Sequence, residues 1–374
     1  MIFAFSYYAV FVGLHIALMT GIILEWLRDK KVPKKGLNDL PKVSVIVPVH
    51  NESHRIEGLL RSLAAQDYPH AEIIFVDDRS SDKTADMISA FRQNRANVNL
   101  ITLKENPGPN NKQFALTRGI EVSSGEFILF TDADCEMSPC WIHAMVERMA
   151  DKAIGAAIGP VLKRHSGKGF FHLYQCYEHG ARYLYLVGAI GLGAAGGGFG
   201  NNMIIRRASL DAVGGYENIP PSPTEDAALI SKIRSSSDYK VRATLGVDTH
   251  IMTQAETTWK DFISQTLRWN NGGIFSPDIV TRFNYSFLMI TMSMGVLALP
   301  LLPFFPFLWP LPMAPVTVMI FNTIANLGLL GASLPGRGFS FGYALTMLFT
   351  PVFFTFLTII GFLGFKPKWK GDTV

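Results

Sequence analysis

The chain has 374 residues, 48% hydrophobic and 17% charged, with a formal net charge of +4. So mild a charge does not call for nucleic acid, and no Lys/Arg cluster is interleaved with aromatics as a single-strand groove needs. Cys135, Cys140 and Cys176 form no CxxC or Cys/His ligand pattern, so they read as reduced packing residues of a cytosolic domain.

The mean hydropathy is positive, +0.21, and the excess sits in residues 2–27 and from about residue 284 onward. Ile2 to Leu27 is long and apolar enough to span a bilayer as a helix. Arg28, Lys30, Lys31, Lys34 and Lys35 follow it in a basic linker, residues 28–40. No basic residue precedes the span and no small-x-small cleavage site follows, which argues against a removed signal peptide. The positive-inside bias places the domain that follows in the cytoplasm.

From residue 41 the pattern alternates strands and helices. Val43 to Pro48 reads as a buried strand, and Glu52 to Gln66 as an amphipathic helix with Ile56, Leu59, Leu60 and Leu63 on one face. Glu72 to Val76 is a second strand ending in Asp77 and Asp78. Ser80 or Ser81 is expected to cap a helix running to about Arg95. Asn99 to Leu103 predicts a short strand and Lys112 to Val122 a helix. Phe127 to Thr131 is an apolar, β-favouring run ending in Asp132-Ala-Asp134. Alternation along a strand would turn both carboxylates to one side, an oxygen-rich place for a hard divalent cation. Ser138 and Pro139 are expected to open the next helix. This order predicts an α/β fold, a mostly parallel sheet with helices on both faces. Ligands of such sheets sit beyond the carboxyl ends of the strands, where Asp77, Asp78, Asp132 and Asp134 all fall.

Ala156 to Leu162 and Met203 to Ile205 look like further strands. Between them, Phe170 to Val187 is rich in aromatics, which suits either the membrane interface or a tyrosine-rich core helix. Gly191-Leu-Gly193-Ala-Ala-Gly196 matches a dinucleotide fingerprint, but no strand precedes it and Asp211 follows a helical stretch. The small residues instead suggest that another chain, substrate or lipid comes close to the backbone. Thr224-Glu225-Asp226 opens a helix, where acidic residues also suit the helix dipole. Thr257 to Asn271 predicts another amphipathic helix, with Gln265, Arg268 and Trp269 on one face. Candidate spans are Phe287 to about Phe307, Val316 to Leu334 and Phe341 to Phe365. Six prolines, from Pro300 to Pro315, crowd the first connection. Three spans would put the basic tail, 366–374 with Lys366, Lys368 and Lys370, outside; either the charge rule loses here or the proline-rich region is re-entrant.

Taken together, these stretches resemble glycosyltransferase family 2, membrane-bound enzymes with a Rossmann-like GT-A catalytic domain. The matching motifs are Val43 to Glu52, Val76 to Asp82, Asn111-Lys112 with Ala115 to Ile120, Thr131 to Asp134, Thr224 to Asp226 and Gln265 to Trp269. They stand in the family's order over about residues 43–270. The resemblance implies a GT-A domain over residues 41–255, an interfacial helix over 256–283 and about three transmembrane helices over 284–365. The flanking spans are similar to those of ceramide glucosyltransferases and bacterial carotenoid and hopanoid glycosyltransferases. The Gln-x-x-Arg-Trp motif is shared with cellulose and hyaluronan synthases. The resemblance further implies that Glu52 and one or both of Asp77 and Asp78 hold the nucleoside of a donor, taken as uridine, with Lys112 near the diphosphate. Asp132 and Asp134 would bind Mg²⁺ or Mn²⁺ through that diphosphate, Asp226 would be the base, and Gln265, Arg268 and Trp269 would close over diphosphate and acceptor. Arg79 stands where the family often has glycine, and Gly196 to Asn202 lacks the acceptor motif of polymer-forming synthases.

The expected activity is inverting, metal-dependent transfer of a sugar from a nucleotide donor to a hydroxyl or carboxyl of a membrane lipid. The catalytic domain would work on the cytoplasmic side of a multi-pass membrane protein. A processive polysaccharide synthase is the alternative. A transporter is disfavoured, because its spans should carry inward-facing ionisable residues, and between Phe287 and Phe365 the one charged residue is Arg337, in an expected loop.

Overall fold

The computed structural model describes residues 1–32, 40–105, 110–164, 169–220, 222, 224–276, 278–331, 341–363, 368–369 and 372–373. Most of the expected linker, Lys34, Lys35, Arg337, Lys366 and Lys370, and the expected span ends Leu334 and Phe365, lie outside the described residues.

Helix α1, Ile2–Asp29, opens the chain, followed by β1 Val43–Val49, α2 Glu57–Ala64, β2 Ala71–Asp78 and α3 Thr84–Arg92. Then come β3 Val98–Leu103, α4 Asn111–Val122, β4 Phe127–Phe130, β5 Glu136–Met137 and α5 Trp141–Glu147. Next are β6 Ile154–Ile158, β7 Val161–Arg164, α6 Phe170–Gly191, β8 Met203–Arg206 and α7 Arg207–Ala212. The chain continues through α8 Glu225–Ser236, β9 Lys240–Ala243, β10 Ile251–Gln254 and α9 Trp259–Ile274. It closes with α10 Ile279–Ala298, α11 Pro310–Leu330 and α12 Phe341–Phe362. Two compact units result. One comprises Met1–Leu24, Lys163–Ala194 and Ala255–Val374; the other comprises Glu25–Leu162 and Ala195–Gln254.

The sheet unit is built on seven strands in the order β3-β2-β1-β4-β8-β6-β9. The first four are parallel, as their uninterrupted apolar runs require. β8 runs against both β4 and β6, and β6 is parallel to β9. The carboxyl ends of β1, β2, β4, β6 and β9 and the amino end of β8 therefore share one rim. Asn202, fully buried just before β8, accepts a hydrogen bond from Trp141 Nε1 at 3.0 Å and donates to Pro160 O at 2.9 Å and Thr249 O at 2.8 Å. Arg148, after α5, clamps Asp29 from the last turn of α1 at 3.1 Å and Asp248 at 3.1 Å.

Asp77 and Asp78 are the last residues of β2, as expected, and Thr102 and Leu103 of β3 still pair with them. Several other boundaries differ from expectation. The carboxylate of Asp82, not Ser80 or Ser81, accepts the Thr84 N–H at the start of α3. α5 starts at Trp141 with no side-chain cap, and Ser138 instead donates to Asp248 O. β4 ends at Phe130, so strand alternation does not govern Asp132 and Asp134; both sit on the turn closed by the Cys135 N–H to Asp132 O bond at 3.2 Å.

In the helical unit, α6 settles as a core helix: Tyr174, Tyr177 and Tyr183 are fully buried, and it packs on α11 and α12. Its aromatic end joins Phe171, Tyr174, Phe262 and Phe353 in one cluster. The glycine run has a partner the sequence did not name. A Cβ on Gly188 would stand 2.7 Å from Leu18 O, and Gly191 meets Gly21 backbone as closely, so glycine is required where α6 meets α1. Among the described residues four helices, Ile2–Asp29, Ile279–Leu301, Pro306–Leu330 and Leu345–Phe362, are long and apolar enough to cross a membrane. The prolines between the second and third form two short 3₁₀ turns, Leu299–Leu301 and Pro306–Leu308.

Candidate active site

The rim of the sheet unit collects acids in two groups, each around a cation. In the first, Lys112 on the opening turn of α4 places Nζ 2.8 Å from Asp132 Oδ1 and 3.7 Å from Glu225 Oε1. Asn110 starts α4 by accepting the Gln113 N–H at 3.0 Å, which fixes the turn that carries Lys112. Burial opposes the lysine's charge, but Asp132 and Glu225 outweigh it and hold its pKa above the usual lysine value. It is therefore a fixed cation.

Asp226 follows Glu225 at the start of α8. Its Oδ2 accepts the Gly200 N–H at 2.7 Å and its Oδ1 the Ala227 N–H at 2.8 Å. A Cβ on Gly200 would stand 3.0 Å from the Asp226 Cβ, so the end of the glycine run is what lets this carboxylate approach. Desolvation, then the Glu225 charge, push the Asp226 pKa up to about 6, against the pull of Lys112 and the two backbone donors.

In the second group, Arg55 pairs with Glu52 and reaches to 3.8 Å from Asp134 Oδ2. Thr253 Oγ1 donates to that same Asp134 oxygen at 2.8 Å. Glu52 is buried, and its N–H donates to Thr84 Oγ1 at 2.8 Å. Beside it, Val49 is in register with Asp77. Asp77 accepts the Ser80 N–H at 3.2 Å and Asp78 the Arg79 Nε at 2.8 Å. Arg79 has φ +60°, the left-handed conformation that glycine adopts most easily. The arginine keeps the backbone shape a glycine would give there and adds an ion pair to Asp78.

Residues 44–214, which include Glu52, Asp77, Asp78, Lys112, Asp132 and Asp134 but not Glu225, Asp226 or Thr253, match the Glycosyl transferase family 2 model. The chain carries a family 2 glycosyltransferase domain. It is 27% identical over 291 residues to "Probable glycosyltransferase YdaM" of Bacillus subtilis, covering 74% of this chain and 66% of that one. It is 24% identical over 289 residues to the beta-monoglucosyldiacylglycerol synthase of Trichormus variabilis, covering 74% and 60%. The alignments thus span less than two thirds of either relative. Among solved structures, the mannosyltransferase PcManGT of Pyrobaculum calidifontis, in complex with GDP-Man and Mn²⁺, superposes with a TM-score of 0.54 at 20% identity. The superposition covers 96% of this chain and 99% of that one, and it shows that the fold is GT-A.

The structure joins Lys112 to Asp132 and Glu225, and Glu52 through Arg55 to Asp134, on the rim of the glycosyltransferase domain. Gln265, Arg268 and Trp269 lie on α9 in the helical unit. Three neighbours were not singled out from sequence: Arg55, Glu225 and Thr253. Glu225 sits inside the Thr-Glu-Asp motif and Arg55 three residues after Glu52, so each had a local signal; Thr253, 119 residues from Asp134, had none. Among the described residues no third His, Cys, Asp or Glu joins Asp132 and Asp134. Two carboxylates on one turn fit an ion that takes its other ligands from a diphosphate and water, as Mg²⁺ commonly does, rather than a closed protein cage.

Proposed function

We propose that the protein transfers one sugar from a nucleotide donor, a uridine nucleotide, to a membrane lipid, with inversion. The observation that carries this reading is Asp226, a carboxylate oriented by two backbone N–H groups and poised near pH 6 beside the Lys112–Asp132 pair. A base poised there can take the proton of an attacking hydroxyl at neutral pH. A single base and attack from the face opposite the leaving group invert the anomeric centre without a nucleophilic residue. Lys112 supplies fixed positive charge where a diphosphate would leave. Glu52, Asp77 and Asp78, at the ends of β1 and β2, are assigned to the nucleoside. Gln265, Arg268 and Trp269 are assigned to diphosphate and acceptor on the resemblance. Asp132 and Asp134 would hold Mg²⁺ or Mn²⁺, which when bound neutralises charge on the diphosphate; the solved relative's Mn²⁺ supports this.

The lipid acceptor is supported by the four candidate spans and by the diacylglycerol-linked product named for the Trichormus relative. Arg28 in the last turn of α1 and Lys30 and Lys31 just after it support a cytoplasmic site. The test is to incubate the full chain in diacylglycerol-containing vesicles with labelled UDP-glucose, UDP-N-acetylglucosamine and GDP-mannose, then identify products by mass spectrometry. One sugar per lipid from one of the two uridine donors is expected, lost in excess EDTA and restored by Mg²⁺ or Mn²⁺; transfer from GDP-mannose alone removes the uridine assignment. Transfer from none of the three overturns the reading. Full activity in EDTA removes the metal, and a long polymer replaces the reading with a processive synthase.

A further inference from the structure

Helix α6 carries none of the residues assigned to the donor, yet it grips both ends of the Gln-x-x-Arg-Trp motif. At the first end, Gln175 is fully buried and holds the backbone of Glu256 twice. Its Nε2 donates to Glu256 O at 3.0 Å and its Oε1 accepts the Glu256 N–H at 2.8 Å. The Glu256 carboxylate, so fixed, accepts from Gln265 Nε2 at 2.6 Å. At the other end, Arg182 stands over the Trp269 indole with its guanidinium carbon 5.0 Å from the ring centroid. Glu178, one turn earlier, pairs with Arg182, and Arg182 Nη1 donates to Tyr285 Oη at 3.2 Å. Tyr285 in turn donates to Asn270 Oδ1 at 2.5 Å, on the residue after Trp269. Gly273 makes room for this: a Cβ there would stand 2.6 Å from Tyr285 Cγ. His179 also contacts the indole, ring centres 5.5 Å apart and tilted by 41°.

Four buried or half-buried polar groups at helical spacing would be costly in a core unless each is satisfied. Here Gln175 leads through Glu256 to Gln265, while Arg182 and His179 both contact the Trp269 indole. The geometry points to Gln175, Glu256 and Arg182 as positioning residues for Gln265 and Trp269. Glu256 sets the rotamer of Gln265, and Arg182 sets the plane of the indole. Neither is a catalytic residue. This rests on the proposed roles of Gln265 and Trp269 in transfer.

The experiment compares Glu256→Ala, Glu256→Gln, Arg182→Met and Arg182→Lys with Gln265→Ala and Trp269→Phe in the full chain. Trp269 emission is read first, as the difference from Trp269→Phe; it needs no donor. Arg182→Met and Arg182→Lys should both shift it and raise its quenching by acrylamide, since lysine keeps the charge for Glu178 but not the planar face. An unchanged Trp269 signal in Arg182→Lys overturns the Arg182 assignment even should Arg182→Met fail to fold. Transfer with the three donors above is read second. Glu256→Ala should lower kcat about 10²-fold, as misplacement of a reacting group does. KM should change little, and Glu256→Gln, which keeps an acceptor oxygen, should restore most of the rate. In a Gln265→Ala background the Glu256→Ala loss should vanish. Additive losses, or a full rate in Glu256→Ala, overturn the positioning role. If Gln265→Ala and Trp269→Phe themselves keep full activity, the assigned roles fail instead, and the two failures are told apart.

Discussion

Lys112 Nζ stands 2.8 Å from Asp132 Oδ1, and the same ammonium is 3.7 Å from Glu225, so one cation joins the turn after β4 to the start of α8. Replacing it by methionine leaves Asp132, Glu225 and Asp226 close together without it. Lys112→Met is expected to cost about 1–3 kcal/mol in unfolding free energy, less than a fully buried pair because Asp132 is 31% exposed. It should also lower kcat/KM roughly 10²-fold. Thermal melts and initial rates on the full chain check both.

The pH profile follows from Asp226. Its pKa is raised to about 6, by desolvation and by Glu225, and the active form is the carboxylate. Activity should therefore be flat near pH 7–8 and fall about tenfold per unit as pH drops below about 6. Lys112 lowers this pKa, so in Lys112→Met the acid limb should move to higher pH. Asp226→Asn should bind donor as before and lose roughly 10²–10⁴-fold in rate. A pH–rate series with matched binding isotherms measures both; a wild-type rate unchanged at pH 5 would remove Asp226 as base.

Arg148 serves the fold rather than the chemistry. Its guanidinium is 6% exposed and holds Asp29 and Asp248, each at 3.1 Å. Arg148→Met strands two carboxylates and should cost about 3–5 kcal/mol, a drop of roughly 10 °C in melting midpoint. Asp248→Asn, which keeps an acceptor and is 26% exposed in the parent, should cost far less.

Gly188 tests the crossing of α6 and α1. Gly188→Ala puts a methyl 2.7 Å from Leu18 O and should destabilise by about 1–3 kcal/mol. Gly13→Ala, with nothing within 4 Å of the added carbon, should be neutral or slightly stabilising through helix propensity. Detergent melts of the two variants side by side decide it.

How much of this was legible depends on how local its cause is. β1, β2 and β4 were plain because a strand buried on both faces must be apolar throughout. The start of α2 was not: Glu52 O accepts from Arg55 N and Ile56 N, winding a turn that delays the helix to Glu57. α10 begins eight residues before the expected Phe287, since Thr281, Arg282 and Asn284 hide the helix from a hydropathy reading. The carboxylates of the site could be named from motifs, while their partners could not. Thr253 reaches Asp134 across 119 residues, and nothing in a run of glycines says that Leu18 fills the space it leaves.

The reversal of β8 has a consequence for how such a domain can diverge. The segments 50–55, 79–82, 131–135 and 200–202 all emerge at one end of the strands, whereas the interstrand ladder is set by residues behind them. New substrate preferences can accumulate by swapping those segments one at a time, each change leaving strand register, and hence the inheritance of the scaffold, intact.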